Sequence, residues 1–535
     1  MHPMHITQFP GESDMERFRQ AAAYLRGHLG TCLVLEPKTY HLCDEQARKL
    51  QQEVMAGAFT KNPEPLLFNY NFAYVSGIDL TGAQDVCIDG RGATLRFDGF
   101  MENFTLASCK NVTLKNFNID LVRKAYSKGI VTGCGERWTD ADFGTQTMLC
   151  AAMPTMRILI YSPTQRRFVN RTVIGRDGSI GHSDFACDDE KFSVEALGGG
   201  KFRLHGMRHG GIGDELYVTH TFHFRPSILI YEAEHTVLEH ICIHSHCGMG
   251  VVGHRSKDIL LRGLKIVPSP GEAMSTNTDA THFASCAGLL RFEGCHFAGH
   301  GDDATNVHGY YHTILSANKN SCTARVEAPT GTHSQKLDYF NPGDMLELTG
   351  IKNLASAKTY RVLESRPDFD KMQCEYVLDS DLPAELDAYF LASVTQMPRL
   401  EFIGCFVSSH RSRCVLVKTR DVLIENSHFE QTPHPAVCVS AEGWWHEGTT
   451  SENVVIRHNR MIDCGGISIN IAADKPDRPA HKNILIENNI IDCPACQHAI
   501  RAEHVDGLTV RGNQVRCAEQ GILVEHCENV QLEAF

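Results

Sequence analysis

A six-residue frame recurs along the chain: an apolar residue, any residue, then often Asn, Gly or His, two further residues, and a second apolar one. It starts at Ile88, Leu114, Leu238, Leu261, Phe292, Phe402, Ile424, Ile456, Ile486, Val510 and Leu532, and reads for instance LKNFNI, LRGLKI, FEGCHF, IENSHF, IENNII and VRGNQV. Successive starts lie 22 to 32 residues apart except at two long gaps, which is the period of one solenoid coil. A second apolar run follows in each coil after a small residue, as in Gly466-Ile467-Ser468-Ile469, Ala436-Val437-Cys438-Val439 and Gly521-Ile522-Leu523-Val524. Alternation with period two over such short, β-branched runs predicts strands. Strands at near-constant spacing, with no helical segments of 10 to 15 residues between them, exclude a doubly wound sheet and an α-solenoid. The expected fold is all-β: a right-handed parallel β-helix whose equivalent positions stack about 4.8 Å apart.

Stacking gives the repeated polar and thiol positions a structural reading. Asn116, Asn426 and Asn488 are expected to form a polar ladder at a turn, and Cys295, Cys405, Cys464 and Cys493 to fill the core. Ser13 is expected to cap an amphipathic helix over Met15 to Leu29 that covers the open end of the stack, since solenoid ends need a lid. The segment Cys32 to Tyr40 reads as the first strand. The long gaps carry alternating strands and a shared phrase, Gly213-Asp214-Glu215-Leu216 and Gly343-Asp344-Met345-Leu346. They are expected to be small β-rich, barrel-like insertions. The expected organisation is a cap with the first coils over 1–123, an insertion over 124–226, coils bearing candidate acids over 227–308, a second insertion over 309–398, and C-terminal coils over 399–535.

Composition narrows the possible partners. Against 64 Asp and Glu stand 51 Lys and Arg, a balance that disfavours nucleic acid or an anionic membrane surface as partner. No apolar run approaches the roughly 20 residues needed to span a bilayer. Met1 to Pro10 has neither a charged n-region nor an apolar h-region, which leaves the compartment open. The 21 cysteines are spread without framework spacing and read as mostly free, buried thiols. Cys493 and Cys496 form a C-x-x-C, but the βαβ context of a redox pair is missing. His244, His246, Cys247 and His254 match no closed zinc spacing.

The candidate chemistry lies between Ser269 and Tyr311. Asp279-Ala280-Thr281-His282-Phe283 and Asp303-Ala304-Thr305-Asn306-Val307 repeat one another 24 residues apart, one coil. Asp279 and Asp303 are therefore expected to be stacked neighbours on one face, with Asp302 beside them. Carboxylates so close repel one another, and protonating one relieves the cost. A protonated acid beside ionised bases is what cleavage of a glycosidic bond requires. Gly-Asp-Asp is also ordinary turn chemistry, but Asn277, His282, His300, Asn306 and His308 crowd the same surface. Extending the frame past the second gap places Arg411 near the acid column, with Arg413 and Lys418 close by; these cations are candidates to hold substrate hydroxyls and tune the acids. Trp444 and Trp445 follow Ala441-Glu442-Gly443 in a longer turn, where an exposed indole stacks on the apolar face of a sugar, although a core role for one of them fits equally.

Through Asn277-Thr278-Asp279, Gly301-Asp302-Asp303-Ala304 and Asn306-Val307-His308-Gly309, the sequence resembles glycoside hydrolase family 110, the exo-acting α-1,3-galactosidases. The Asn-Thr-Asp and Asp-Asp pairing is also similar to the family 28 polygalacturonases. Their Gly-His-Gly and Arg-Ile-Lys tripeptides do not follow Asp303 here, a departure that favours the galactosidase likeness. The resemblance implies an inverting hydrolase of terminal α-1,3-linked galactose on oligosaccharides or glycoconjugates, either blood-group B-like or linear. In it Asp302 is the general acid, and Asp279 and Asp303 activate water. Asn277, His282, Asn306, His308, Arg411, Arg413, Lys418 and Trp444 are expected to meet the sugar. No cofactor and no metal are implied; a periplasmic or extracellular setting is, with a cytoplasmic one left open. The insertions, rich in exposed strands, offer a contact for a homodimer.

Overall fold

The computed structural model describes residues 1–146, 148–169, 172–174, 180–182, 192–206, 210–328 and 331–533. A 22-stranded sheet and a 12-stranded sheet wind together as a parallel β-helix. The frame read from the sequence is one unbroken register column. Ile88 pairs with Leu114, Leu114 with Leu238, Leu238 with Leu261, Leu261 with Phe292 and Phe292 with Phe402. Ile424, Ile456, Ile486, Val510 and Leu532 continue it. From Ile88 to Val510 these side chains are fully buried, while Leu532, on the last described coil, is 49% exposed. Each buried one contributes about 1.5–3 kcal/mol of hydrophobic stabilisation, so the periodic apolar position is the principal force holding the coils in register.

The polar ladder is displaced by one residue from the expected column. Asn116, Asn426 and Asn488 sit at φ of 62°, 53° and 56°, in the left-handed conformation that Asn tolerates, and they turn the chain. The next position along the turn makes the ladder in the C-terminal coils: Asn459 Oδ1 accepts from Ser427 N at 3.0 Å, Asn489 Oδ1 from Asn459 N at 3.0 Å, and Asn513 Oδ1 from Asn489 N at 2.9 Å. Asn489→Ala strips partners from the buried Asn459 N–H and Ile456 carbonyl. The expected loss is about 1–3 kcal/mol, measured as a lower midpoint of chemical denaturation; an unchanged midpoint would show that the ladder does not stabilise the stack.

Helix Asp14–Gly27 begins at Ser13, whose hydroxyl accepts from Glu16 N at 3.2 Å, and buries Met15, Phe18, Ala21, Ala22 and Leu25 against the main core. The first strand is His2–His5, paired in parallel with Thr31–Val34. The run read as one strand is broken into Thr31–Val34 and Thr39–Cys43, with Pro37, which has no N–H for a ladder, at the break. A second helix, Glu45–Met55, was not foreseen; it is capped by Asp44.

Two excursions leave the coils and return in step. The first is a seven-stranded antiparallel sheet that includes Tyr126–Cys134, Arg157–Ser162 and Glu215–Thr219, built on its own small core around Val131, Phe143, Ile158 and Leu216. The second is a closed six-stranded barrel running from His312–Asn318 to Tyr389–Ser393 around Leu346, Tyr360 and Tyr376. Buried Asp338 locks the barrel to the coils, accepting from His254 Nε2 and His312 Nε2, both at 2.7 Å. No disulfide joins the described cysteines, and Cys295, Cys405, Cys464 and Cys493 lie in the core.

Candidate active site

Strands Val251–His254, Thr281–Ala284, Thr305–Tyr310 and Val415–Lys418 stack in parallel. Thr281 pairs with Thr305 and Thr305 with Val415, so the positions two residues earlier form one column: Asp279, Asp303 and Arg413. The column thus continues to Arg413 rather than Arg411. Val415 is the register anchor, and a frame carried across the barrel without it slips by two residues, one full side-chain repeat.

The stacking brings an oxygen of each of Asp279, Asp302 and Asp303 within 4.8 Å of the others. Asp279 Oδ1 accepts from Asp303 N at 3.1 Å, and its Oδ2 lies 2.6 Å from His282 Nδ1. Asp303 is held by Arg413, which donates from N and Nε to Oδ1 at 3.0 Å each and from a terminal nitrogen to Oδ2 at 2.9 Å. Asp302 is the open member of the trio, with 21% of its side chain exposed against 8% and 3% for Asp279 and Asp303. It lies between two guanidiniums, Arg157 at 3.3 Å and Arg411 at 3.2 Å.

The charges divide unequally. Burial, then the charges of Asp303 and Asp302, pushes the Asp279 carboxyl well above its usual range. Burial also raises Asp303, against the lowering effect of Arg413. At Asp302 burial acts upward too, but Arg411, Arg157 and Arg413 outweigh it and hold the group well below the usual range. Asp279 is therefore the carboxyl that gives up its proton least readily, whereas the resemblance assigns the acid role to Asp302. The difference comes first from Arg411 and then from Arg157, which reaches the site from the first insertion and has no signature in the chain around the acids.

The other expected contacts separate into two groups. Arg411 and Arg413 contact Asp302 and Asp303, and Trp444, two residues after Glu442, is 75% exposed. Asn277, His282, Asn306, His308 and Lys418 lie beneath the acids, all at most 5% exposed. Asn277 is held from below: its amide donates to Thr221 O at 3.0 Å and also to the Cys247 and Ala125 carbonyls, tying three segments together. Lys418 lies between Glu442 at 2.9 Å and Glu447 at 2.5 Å, and these two carboxylates raise its pKa against the lowering effect of burial. Asn306 donates to Glu447 at 3.0 Å. Glu442 also takes Arg413 at 2.8 Å, so a chain of buried ion pairs runs from Asp303 to Glu447. Arg157, His333, Glu442 and Glu447 were not among the expected site residues; only Glu442, next to the Trp pair, lay in a segment already singled out.

Comparison with known proteins follows the same lines. Residues 392–534 match the family model described as a right handed beta helix region. The chain is 26% identical to alpha-1,3-galactosidase B of Bacteroides thetaiotaomicron, over 83% of its own length and 77% of that protein. It is 27% identical to alpha-1,3-galactosidase A of Bacteroides fragilis, over 82% and 75%, and 24% identical to that of Shewanella woodyi, over 90% and 79%. The chain is a homologue of proteins named alpha-1,3-galactosidase. Among solved structures, the A-module of mannuronan C-5 epimerase AlgE4 from Azotobacter vinelandii covers 99% of this homologue and 97% of its own chain, with 10% identity and a TM-score of 0.41.

Proposed function

We propose that this chain is an exo-acting, inverting glycoside hydrolase that releases terminal α-1,3-linked galactose from oligosaccharides or glycoconjugates. The observation that carries the reading is the trio of carboxylates from successive coils, of which Asp302 alone opens to the surface while its two neighbours are held behind it. Kinship with proteins named alpha-1,3-galactosidase supports the choice of sugar and linkage. Groups delivered by three excursions support action at a chain end: the first insertion brings Arg157, the barrel excursion brings His333 from between its second and third strands, and the turn after Ala441 brings Glu442 and Trp444.

In this mechanism Asp302 meets the glycosidic oxygen. Arg157 and Arg411 keep it ionised without substrate; sugar hydroxyls that take up their N–H donors weaken that hold, and the sugar excludes water, so protonation of Asp302 becomes favourable. Asp279 passes its proton to Asp302 and, as a carboxylate, then orients the attacking water with Asp303 and takes up its proton. The oxygen spacing alone is nearer that of retaining enzymes, whose carboxyls lie about 5–5.5 Å apart. Inversion is favoured because the oxygens of Asp279 and Asp303 are occupied by His282, a backbone N–H and Arg413, an arrangement suited to polarising water rather than to attacking the anomeric carbon. The basic groups beside the acids are themselves paired with carboxylates, which disfavours a lyase that needs a free Lys or Arg base.

A proton NMR time course on a terminal α-1,3-galactosyl disaccharide tests all of this together. β-Galactose is expected first. Initial α-galactose would overturn inversion, and an unsaturated, ultraviolet-absorbing product would overturn hydrolysis.

A further inference from the structure

Beneath the three carboxylates lies a second cluster that the hydrolysis does not use directly. His282 and His308 project from adjacent coils, His333 comes from the segment leading to Asp338, and Glu447 lies on a short strand paired antiparallel to Tyr310. All four are buried, and one ligating atom from each lies within 4.8 Å of the rest. We propose that His282, His308, His333 and Glu447 form a binding site for one divalent transition-metal ion of the zinc type, which positions Asp279 through His282.

Three observations support this site. The inward atoms are spaced for a small ion: His282 Nε2 lies 2.7 Å from His308 Nε2, and Glu447 Oε1 lies 3.8 Å from His308 Nε2 and 4.0 Å from His333 Nε2. Ligand atoms in a tetrahedral zinc site with bonds of about 2.0–2.1 Å are about 3.3 Å apart, so changes of roughly 0.5 to 1.5 Å in these spacings close the shell. The outward atoms are all engaged. His308 Nδ1 lies 2.8 Å from the Gly309 carbonyl, His282 Nδ1 2.6 Å from Asp279, and His333 Nδ1 3.0 Å from the Tyr310 hydroxyl. Such outer partners fix the ring orientation of metal-binding histidines. Glu447 is turned in the same sense, because Lys418 and Asn306 take Oε2 and leave Oε1 facing the imidazoles.

The third observation is the close approach of the two rings. A carbonyl oxygen only accepts, so His308 carries its proton on Nδ1 and directs a lone pair inward from Nε2. Once Asp279 gives up its proton, His282 does the same, and two lone pairs face one another at 2.7 Å. A cation between them converts that repulsion into two bonds. Imidazole nitrogens with one carboxylate oxygen suit zinc and its first-row neighbours, whereas calcium and magnesium take oxygen-rich shells. The competing, metal-free arrangement is a proton chain in which a protonated Asp279 donates to His282, His282 to His308, and His308 to Gly309.

The test uses the whole chain with no polyhistidine tag, stripped with chelator and titrated with Co²⁺. One equivalent is expected, with the intense visible bands of a four-coordinate site, displaced stoichiometrically by Zn²⁺ and accompanied by a rise in the melting temperature. His333→Ala and Glu447→Gln are expected to weaken binding at least 100-fold; because either variant could fail to fold, the wild-type spectrum and stoichiometry stand as the primary result. Less than a tenth of an equivalent bound, or bands of a six-coordinate surface site, would overturn the proposal in favour of the proton chain. The outcome is independent of which glycan the enzyme cleaves.

Discussion

Asp302→Asn is expected to lower kcat on a terminal α-1,3-galactosyl disaccharide by roughly 10²- to 10⁴-fold, the usual contribution of a positioned general acid. The melting temperature should hardly change. Asp302 is the exposed member of the trio, and its side chain supports no core packing; its partners Arg157 and Arg411 keep an amide oxygen to bond to. The substitution removes one charge from a crowded group while leaving Asp279 and Asp303 to their existing hydrogen bonds. A substrate with an activated leaving group needs less protonation of the departing oxygen, so its hydrolysis should be much less impaired. Retention of more than a few per cent of activity on the natural linkage would rule out Asp302 as the acid. An equal loss on both substrates would move its role from proton donation to sugar binding.

The second large effect concerns stability. Glu102→Ala is expected to cost about 3–5 kcal/mol, because it leaves the Arg225 guanidinium charged and unpaired inside the protein. Arg225 is 2% exposed and Glu102 fully buried, with a nitrogen-to-oxygen distance of 2.6 Å. The same guanidinium donates to the Ser334 carbonyl at 2.6 Å and to Gln335 at 3.0 Å, and stacks 4.0 Å from the Tyr74 ring. It therefore joins the first coils to the barrel excursion, at the segment between its second and third strands. Chemical denaturation should show the loss, and a double variant with Arg225→Met should recover much of it, since an apolar replacement removes the stranded charge. A loss below about 1 kcal/mol in the single variant would mean that water reaches Arg225 and solvates it.

The solenoid was legible because its signal is redundant. Each coil repeats the same apolar position, and an error at one start is corrected by its neighbours, which is why Ile88 through Leu532 form one column in the structure. The capped helix was legible from Ser13; the structure adds Glu16, whose side chain returns the bond so that two backbone donors are satisfied. Glu45–Met55 escaped because its buried face is Ala47, Gln51, Val54 and Met55, too polar and too short for an apolar stripe to stand out. The ladder was misplaced by one residue because adjacent Asn residues, as at Asn488 and Asn489, do different work, one bending the chain and the next bonding across coils.

The site was half legible for a related reason. Asp279 and Asp303 announce themselves by repeating one coil apart, but periodicity carries no information about what an insertion delivers. Arg157 and His333 come from outside the repeat, and with them come the charge on Asp302 and the environment of His282. Burial was equally hidden. Asn277, His308 and Lys418 are polar residues on outward positions of the coil, and the packing of the insertions and the Glu447 turn over them is what encloses them.

That both excursions rejoin the stack in phase, Leu114 beside Leu238 and Phe292 beside Phe402, separates two tasks within one chain. The coils act as a shaft on which the acids are indexed at fixed intervals. The excursions act as cassettes clipped onto it, free to lengthen, shrink or be exchanged without turning the shaft. Descendants of such a protein can thus alter what enters the pocket while the bond-breaking groups stay at the same stations.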